Sequence, residues 1–267
     1  MTEHETQKTA KASSEQTPND LIAGGKLGSL WEHVGELRTR LVRSVAIIFG
    51  LFCVAMAFAD KLINFLKVPL VASLPPGVNA LHFTGPMDVF MAEMKVAGLA
   101  AVLVGSPFWL YQFWKFIEPA LYPKERRSIL PFVVASVLLF FAGIVFCFEI
   151  MLPTALSYFV TVGMEVGTPI ITVADYISLV MLLFIGFGLV FETPVLLVLL
   201  GVLGIVDVKG LSGARRVVAV VTLIASAIIT PTPDPFNMLI MAAPMYIMYE
   251  ISILILKFLG RRSGTAA

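Results

Sequence analysis

The stretch LVMLLFIGFGLVFETPVLLVLL, residues 179–200, is an apolar run with one ionisable side chain, Glu192. About 20 apolar residues in a helix cross the ~30 Å hydrocarbon core of a bilayer, so the run predicts a transmembrane helix. Pro194 follows two residues later, and a proline removes a backbone donor and can kink a helix. The stretch therefore indicates the fold class and also raises the question of why a carboxylate lies within it.

Composition places the whole chain in the same class. Of the 267 residues, 58% are hydrophobic and 14% are charged, and the mean hydropathy is +0.91. A soluble domain is about half apolar and about a quarter charged. We therefore expect an all-α integral membrane protein with six transmembrane helices. The six apolar runs are 41–59, 90–114, 129–152, 175–206, 215–230 and 236–258.

The fifth run is short, because Pro231 follows only about 16 residues, which reach ~24 Å at ~1.5 Å per residue. A span of that length implies local thinning of the bilayer or shielding by neighbouring helices. The first outer connection, 60–89, is long. Its Leu62, Phe65 and Leu66 share one helical face, which predicts a helix lying on the membrane surface.

Basic residues predict the orientation. With the N-terminus inside, all but three of the 19 Lys and Arg residues fall on the cytoplasmic side, and the exceptions are Lys61, Lys67 and Lys95. This asymmetry predicts cytoplasmic N- and C-termini. We divide the chain into a disordered cytoplasmic tail (1–26), a six-helix membrane domain (27–260) and a short cytoplasmic C-terminal tail (261–267).

Acidic residues near the inner surface form the first candidate site. Glu36 and Arg40 are four residues apart on a predicted helix, where such a pair contributes ~0.3–0.5 kcal/mol. Spacing alone favours an interfacial helix with this ion pair; the alternative is a carboxylate held for a cationic ligand. The inner loop 111–127 adds Glu118 and Glu125 among basic and aromatic residues.

Glu192 is the second candidate site. It lies about 17 residues from the outer end of its run, near the middle of the bilayer or somewhat inside it. An ionised carboxylate there costs ~2.5–3.5 kcal/mol or more, and no span centre contains a Lys or Arg to pair with it. It must be protonated, hydrogen-bonded to another helix or open to a wet cavity. Gly186 and Gly188 permit close helix approach.

Other chemistry has no visible residues. The chain contains no metal-binding, nucleophile-elbow or nucleotide-binding motif, its three histidines are scattered, and its two cysteines fall in apolar runs. We predict no enzyme activity, no cofactor, no metal and no nucleic acid. A proton-coupled secondary transporter using Glu192 is the alternative; it would require paired broken helices in two related halves. An intramembrane enzyme is the weakest of the functional hypotheses.

Four motifs in this order resemble the TatC family, the multi-spanning receptor subunit of the twin-arginine (Sec-independent) protein translocase. They are HVGELRTRL (33–41), SPFWLYQFWKFIEPALYPKERR (106–127), FGLVFETP (187–194), and TPTPD (230–234) with PMY (244–246). The resemblance covers about Leu30 to Lys257. It implies a concave, cupped bundle whose fifth and sixth helices are short.

The resemblance also implies a function. Such a receptor binds twin-arginine signal peptides of folded cargo proteins and assembles with TatA- and TatB-like single-span partners in an oligomeric complex. It lies among the lipids of the bacterial plasma (inner) membrane, and transport is driven by the proton motive force. By motif, the signal-peptide positions are Glu36, Arg38, Phe116 and Glu125. Glu192 matches the intramembrane glutamate, Asp234 the acid of the last outer loop, and Pro69 and Pro107 shape positions.

Overall fold

The computed structural model describes residues 18–74, 81–83, 85–118, 129–167, 171–229 and 235–262. This part of the chain contains ten α-helices and a π-helical turn, Cys147–Met151. The helices are α1 Pro18–Met56, α2 Ala59–Ser73, α3 Pro86–Val104, α4 Ser106–Ile117, α5 Ile129–Phe146, α6 Leu152–Val166, α7 Val173–Phe191, α8 Thr193–Val202, α9 Val208–Ile229 and α10 Pro235–Arg262. The prediction of an all-α membrane protein is confirmed.

Five helical stretches in the described residues are long and apolar enough to span a membrane, and a sixth is formed if α3 and α4, bent by 53°, count as one. This agrees with the predicted number of spans. The other spans are Gly35–Met56, Leu130–Glu165, Val173–Val202, Val208–Ile228 and Met238–Leu259.

The last two spans, of 21 and 22 residues, are shorter than the third and fourth, of 36 and 30. Helix α9, which forms the fifth span, nevertheless starts at Val208, seven residues before the predicted fifth apolar run. Its 22 residues reach about 33 Å, which is enough to cross the hydrocarbon core. The expected thinning of the bilayer is therefore not required by its length.

The chain forms two compact units, residues 1–45 and 46–267. The described part of the first unit is the N-terminal portion of α1, which begins at Pro18. The predicted tail of residues 1–26 falls mostly on residues 1–17, which lie outside the described residues.

The second unit is built around α7. This helix packs against α5 and α3, α4 packs against α5, and α10 packs against α8 and α9. Its buried side chains recur at helical spacing, as Tyr176, Val180, Leu183 and Phe187 illustrate. A polar contact adds to the α3–α7 packing, since Lys95 Nζ donates to Ser178 Oγ at 2.8 Å.

Helix α2 follows the first span and packs against α3 and α6. It buries Ile63, Leu66 and Leu70, whereas Phe65 is exposed and stacks on Phe148 with ring centroids 5.0 Å apart. The helix predicted around Leu62, Phe65 and Leu66 is present as α2. Its placement on the membrane surface stays a prediction.

Candidate functional site

Glu192 lies at a one-residue break between α7 and α8. Its N–H donates to the carbonyl of Leu189 at 3.1 Å, and its own carbonyl accepts from Val195 and Leu196 at 3.1 and 3.0 Å. Pro194 occupies the first turn of α8, where its missing N–H is tolerated. The sequence correctly placed an interruption at this proline, and α7 and α8 still form one 30-residue span.

The side chain of Glu192 is only 6% exposed. Its hydrogen-bonding neighbour is Ser136 of α5, whose Oγ accepts a 2.8 Å hydrogen bond from Nε1 of Trp114 on α4. Within the described residues, Oε1 of Glu192 has no hydrogen-bond partner. A line of buried polar groups therefore runs from Trp114 on α4 through Ser136 on α5 to Glu192 at the α7–α8 junction. It ends at Oε1 of Glu192, which can still accept a hydrogen bond.

Two glycines allow this close packing. A Cβ added to Gly143 of α5 would lie 2.7 Å from the carbonyl oxygen of Phe187 and 3.0 Å from Cβ of Phe191. Gly188 of α7 lies against the ring of Phe140 in the same interface. The predicted role of Gly188 in close helix approach is confirmed, and Gly143 is an additional residue that sequence reasoning missed.

A bend between α3 and α4 directs the segment that contains Phe116. A Cβ on Gly105 would lie 2.7 Å from the carbonyl oxygen of Ala101, and Pro107 follows in the first turn of α4. Nε1 of Trp109 donates to the carbonyl of Val102 at 3.1 Å, so its indole joins the two sides of the bend. Phe116, near the end of α4, is partly buried.

The predicted Glu36–Arg40 pair is present on α1, with Nη2 of Arg40 donating to Oε1 of Glu36. The side chain of Arg40 is 13% exposed and that of Glu36 is 40% exposed. Arg38 is exposed. The carboxylate of Glu36 is thus oriented by a neighbour and remains accessible.

Two predicted site residues, Glu125 and Asp234, lie outside the described residues. Pro69 is described and is buried inside α2. The structure also contains an ion pair that sequence reasoning missed, between Arg215 of α9 and Glu250 of α10. Its components were visible in the sequence, but the pairing depends on how α9 and α10 pack.

Comparison with known proteins decides the family. The family model described as "Sec-independent protein translocase protein (TatC)" matches residues 32–244. The chain belongs to the TatC family. It is therefore a subunit of the Sec-independent protein translocase, a membrane protein of the Tat pathway with a transport role.

Relatives match over most of their length. The TatC protein of Haemophilus influenzae is 33% identical over 88% of this chain and 91% of the relative. The TatC protein of Carboxydothermus hydrogenoformans is 37% identical over 86% of this chain and 93% of the relative. That of Aquifex aeolicus is 35% identical over 87% and 96%.

Solved TatC structures support the fold. A crystal structure of the twin-arginine translocase receptor TatC matches with a TM-score of 0.73 and 35% identity, covering 85% of this chain and 98% of that one. A second, in DDM, has a TM-score of 0.74 and 36% identity, with 84% and 98% covered. The family, the helical fold and the resemblance stated from the sequence are therefore confirmed.

Proposed function

We propose that this subunit is the receptor that binds twin-arginine signal peptides of folded cargo proteins. The observation that carries the proposal is the Glu36 side chain, which is 40% exposed although Arg40 forms an ion pair with its carboxylate. Arginine presents a planar fork of donors that suits bidentate contact with carboxylates. A peptide with two adjacent arginines needs a second acid, and Glu125 of the inner loop is the candidate.

Arg38 and Phe116 complete the proposed peptide site. Phe116 offers an apolar surface for the part of the signal peptide beyond its arginines, and Arg38 lies two residues from Glu36 in the same motif. The site functions on the cytoplasmic face, with both termini of the chain on that side. The basic residues around it favour anionic lipid of the bacterial plasma membrane.

Assembly is the second part of the proposal. Glu192 is the polar docking point for TatA- and TatB-like single-span partners, and the support is a carboxyl group within a span whose Oε1 has no hydrogen-bond partner among the described residues. Asp234 contributes an acidic group in the last outer loop, and Pro69 and Pro107 shape the chain around α2 and the α3–α4 bend. The proton motive force drives transport, and each elementary charge that crosses a potential of 100 mV releases ~2.3 kcal/mol.

A crosslinking map tests the receptor proposal. A photoreactive twin-arginine signal peptide is offered to membranes carrying single probes over residues 30–41, 111–127 and 186–194. We expect adducts with the arginine region of the peptide in the first two segments. As the matched control, probes at Glu149 and Glu165, which are exposed acids with no proposed role, should give none. Equal labelling of the controls and the proposed site would contradict the proposal.

A further inference from the structure

Two residues that the proposed function does not use connect α4 and α5 to Glu192. Trp114 is 1% exposed and Ser136 is fully buried, and each lies on a different helix from Glu192. Nε1 of Trp114 donates to Ser136 Oγ at 2.8 Å, and Ser136 in turn neighbours the carboxylate. Buried polar groups in an apolar core need hydrogen-bond partners, and here the partners come from different helices.

The hydrogen-bonding capacities of Trp114 and Ser136 fix which group donates and which accepts along this line. The indole nitrogen can only donate, so Ser136 must accept from Trp114. Its single hydroxyl proton is then left to donate to the carboxylate of Glu192. Hydrogen bonds arranged head to tail polarise one another, and in a low-dielectric interior each is stronger than it would be in water.

Packing holds the start of the line in place. The ring of Trp114 lies against Phe132 of α5 with centroids 5.4 Å apart, and it meets Phe113 edge-on at 5.8 Å. Because packing holds the indole of Trp114 in place, its hydrogen bond also holds the hydroxyl oxygen of Ser136. That hydroxyl restrains one side of the Glu192 carboxylate, and Oε1 has no hydrogen-bond partner in the described part of the chain.

We propose that Ser136 and Trp114 are positioning residues for Glu192. They hold the buried carboxylate in one orientation between α5 and the α7–α8 junction, and they act on partner binding only through Glu192. This inference rests on the proposed docking role of Glu192. The line also starts on α4, the helix that contains Phe116.

A spectroscopic test examines the line itself. The chain has three tryptophans, so ¹⁵N-indole NMR of the detergent-solubilised protein gives three side-chain signals. The Trp114 signal is assigned by its loss in Trp114→Phe. We expect Glu192→Gln to shift this signal, and we expect that shift to disappear in a Ser136→Ala background. A Trp114 signal that ignores Glu192→Gln, or that responds equally without the Ser136 hydroxyl, would overturn the inference.

A set of single and double variants separates a role of Ser136 and Trp114 in positioning Glu192 from an effect on folding. Loss of one buried hydrogen bond corresponds to up to about tenfold in binding, so Ser136→Ala should weaken crosslinking to a TatA- or TatB-like partner by up to about tenfold. Trp114→Phe, which keeps the ring, should weaken it in the same direction. Ser252→Ala is the matched control, because Ser252 is equally buried and bonds only the carbonyl of Met248 on its own helix.

The same variants also distinguish this inference from the proposed docking role of Glu192. In a Glu192→Gln background, Ser136→Ala should cause no further loss of partner crosslinking. An equal further loss would mean that Ser136 acts only through general packing and would overturn the positioning role. If Glu192→Gln alone leaves crosslinking unchanged, the docking proposal fails, and the NMR result decides separately whether Ser136 and Trp114 position the carboxylate.

Discussion

Arg215 of α9 and Glu250 of α10 form a two-point ion pair. Nη2 of Arg215 donates to Oε2 of Glu250 at 2.8 Å, and Nε lies 2.8 Å from Oε1. The hydroxyl of Tyr246 donates to the same carboxylate at 3.1 Å. The pair therefore links the last two helices, α9 and α10.

Removing this pair should destabilise the last two helices. We expect Arg215→Ala to lower the midpoint of thermal unfolding in detergent, because Glu250 loses its cation while remaining partly buried. Arg216→Ala is the matched control, since the neighbouring arginine is exposed. Equal midpoints for the two variants would show that the pair contributes nothing to stability.

Packing between α5 and α7 gives a second prediction. A Cβ on Gly188 would lie 2.6 Å from Cε2 of Phe140, whose ring is 2% exposed and packs edge-on against Trp109. The ring cannot move away freely, so Gly188→Ala should cost about 1–3 kcal/mol in free energy of unfolding. Gly98→Ala, where nothing lies within 4 Å of the new atom, should cause no loss. The comparison is a chemical denaturation in one detergent.

Orientation gives a third prediction. In a Cys53→Ala background, a cysteine at the exposed position Glu165 should react with a membrane-impermeant maleimide on intact cells. A cysteine at Lys257 should react only after permeabilisation, because basic residues favour the cytoplasmic side. Buried Cys147 should stay unlabelled in both cases. The reverse labelling pattern would contradict cytoplasmic termini.

Glu192→Gln gives a fourth prediction, on assembly. The variant keeps the size of the side chain and replaces the carboxyl group by an amide, so association with a TatA- or TatB-like partner should fall about tenfold or more. The measurement is site-specific crosslinking together with export of a folded reporter. Glu149→Gln alters an exposed acid on the π-helical turn and should leave both unchanged. Unchanged association in Glu192→Gln would mean that Glu192 is only a packing residue.

Hydropathy predicted much of the fold, because span number and class depend on local composition. The break at Pro194 and the Glu36–Arg40 pair were also predictable, since both depend on residues within one helical turn. The start of α9 was not, because Val208 and its neighbours are less apolar than the run that follows. A helix whose ends leave the hydrocarbon is invisible to a hydropathy count.

The surroundings of Glu192 could not be predicted. The sequence showed that no basic residue in a span centre could neutralise it and that another helix was one solution. It could not select Ser136, which is 56 positions earlier in the chain, or Trp114 behind it. Such contacts depend on the packing of α4, α5 and α7. The same limit hid the pairing of Arg215 with Glu250.

The central claim is that acidic residues of this subunit read the two arginines of a signal peptide. The most direct measurement is the dissociation constant of a fluorescent twin-arginine peptide and its twin-lysine counterpart, with the native protein and with Glu36→Lys/Glu125→Lys. Glu149→Lys/Glu165→Lys serves as the charge-matched control. We expect the native protein to prefer arginine and the Glu36/Glu125 variant to lose about a hundredfold in affinity, for two charged contacts. Undiminished binding by that variant, or equal losses in the control, would contradict the account.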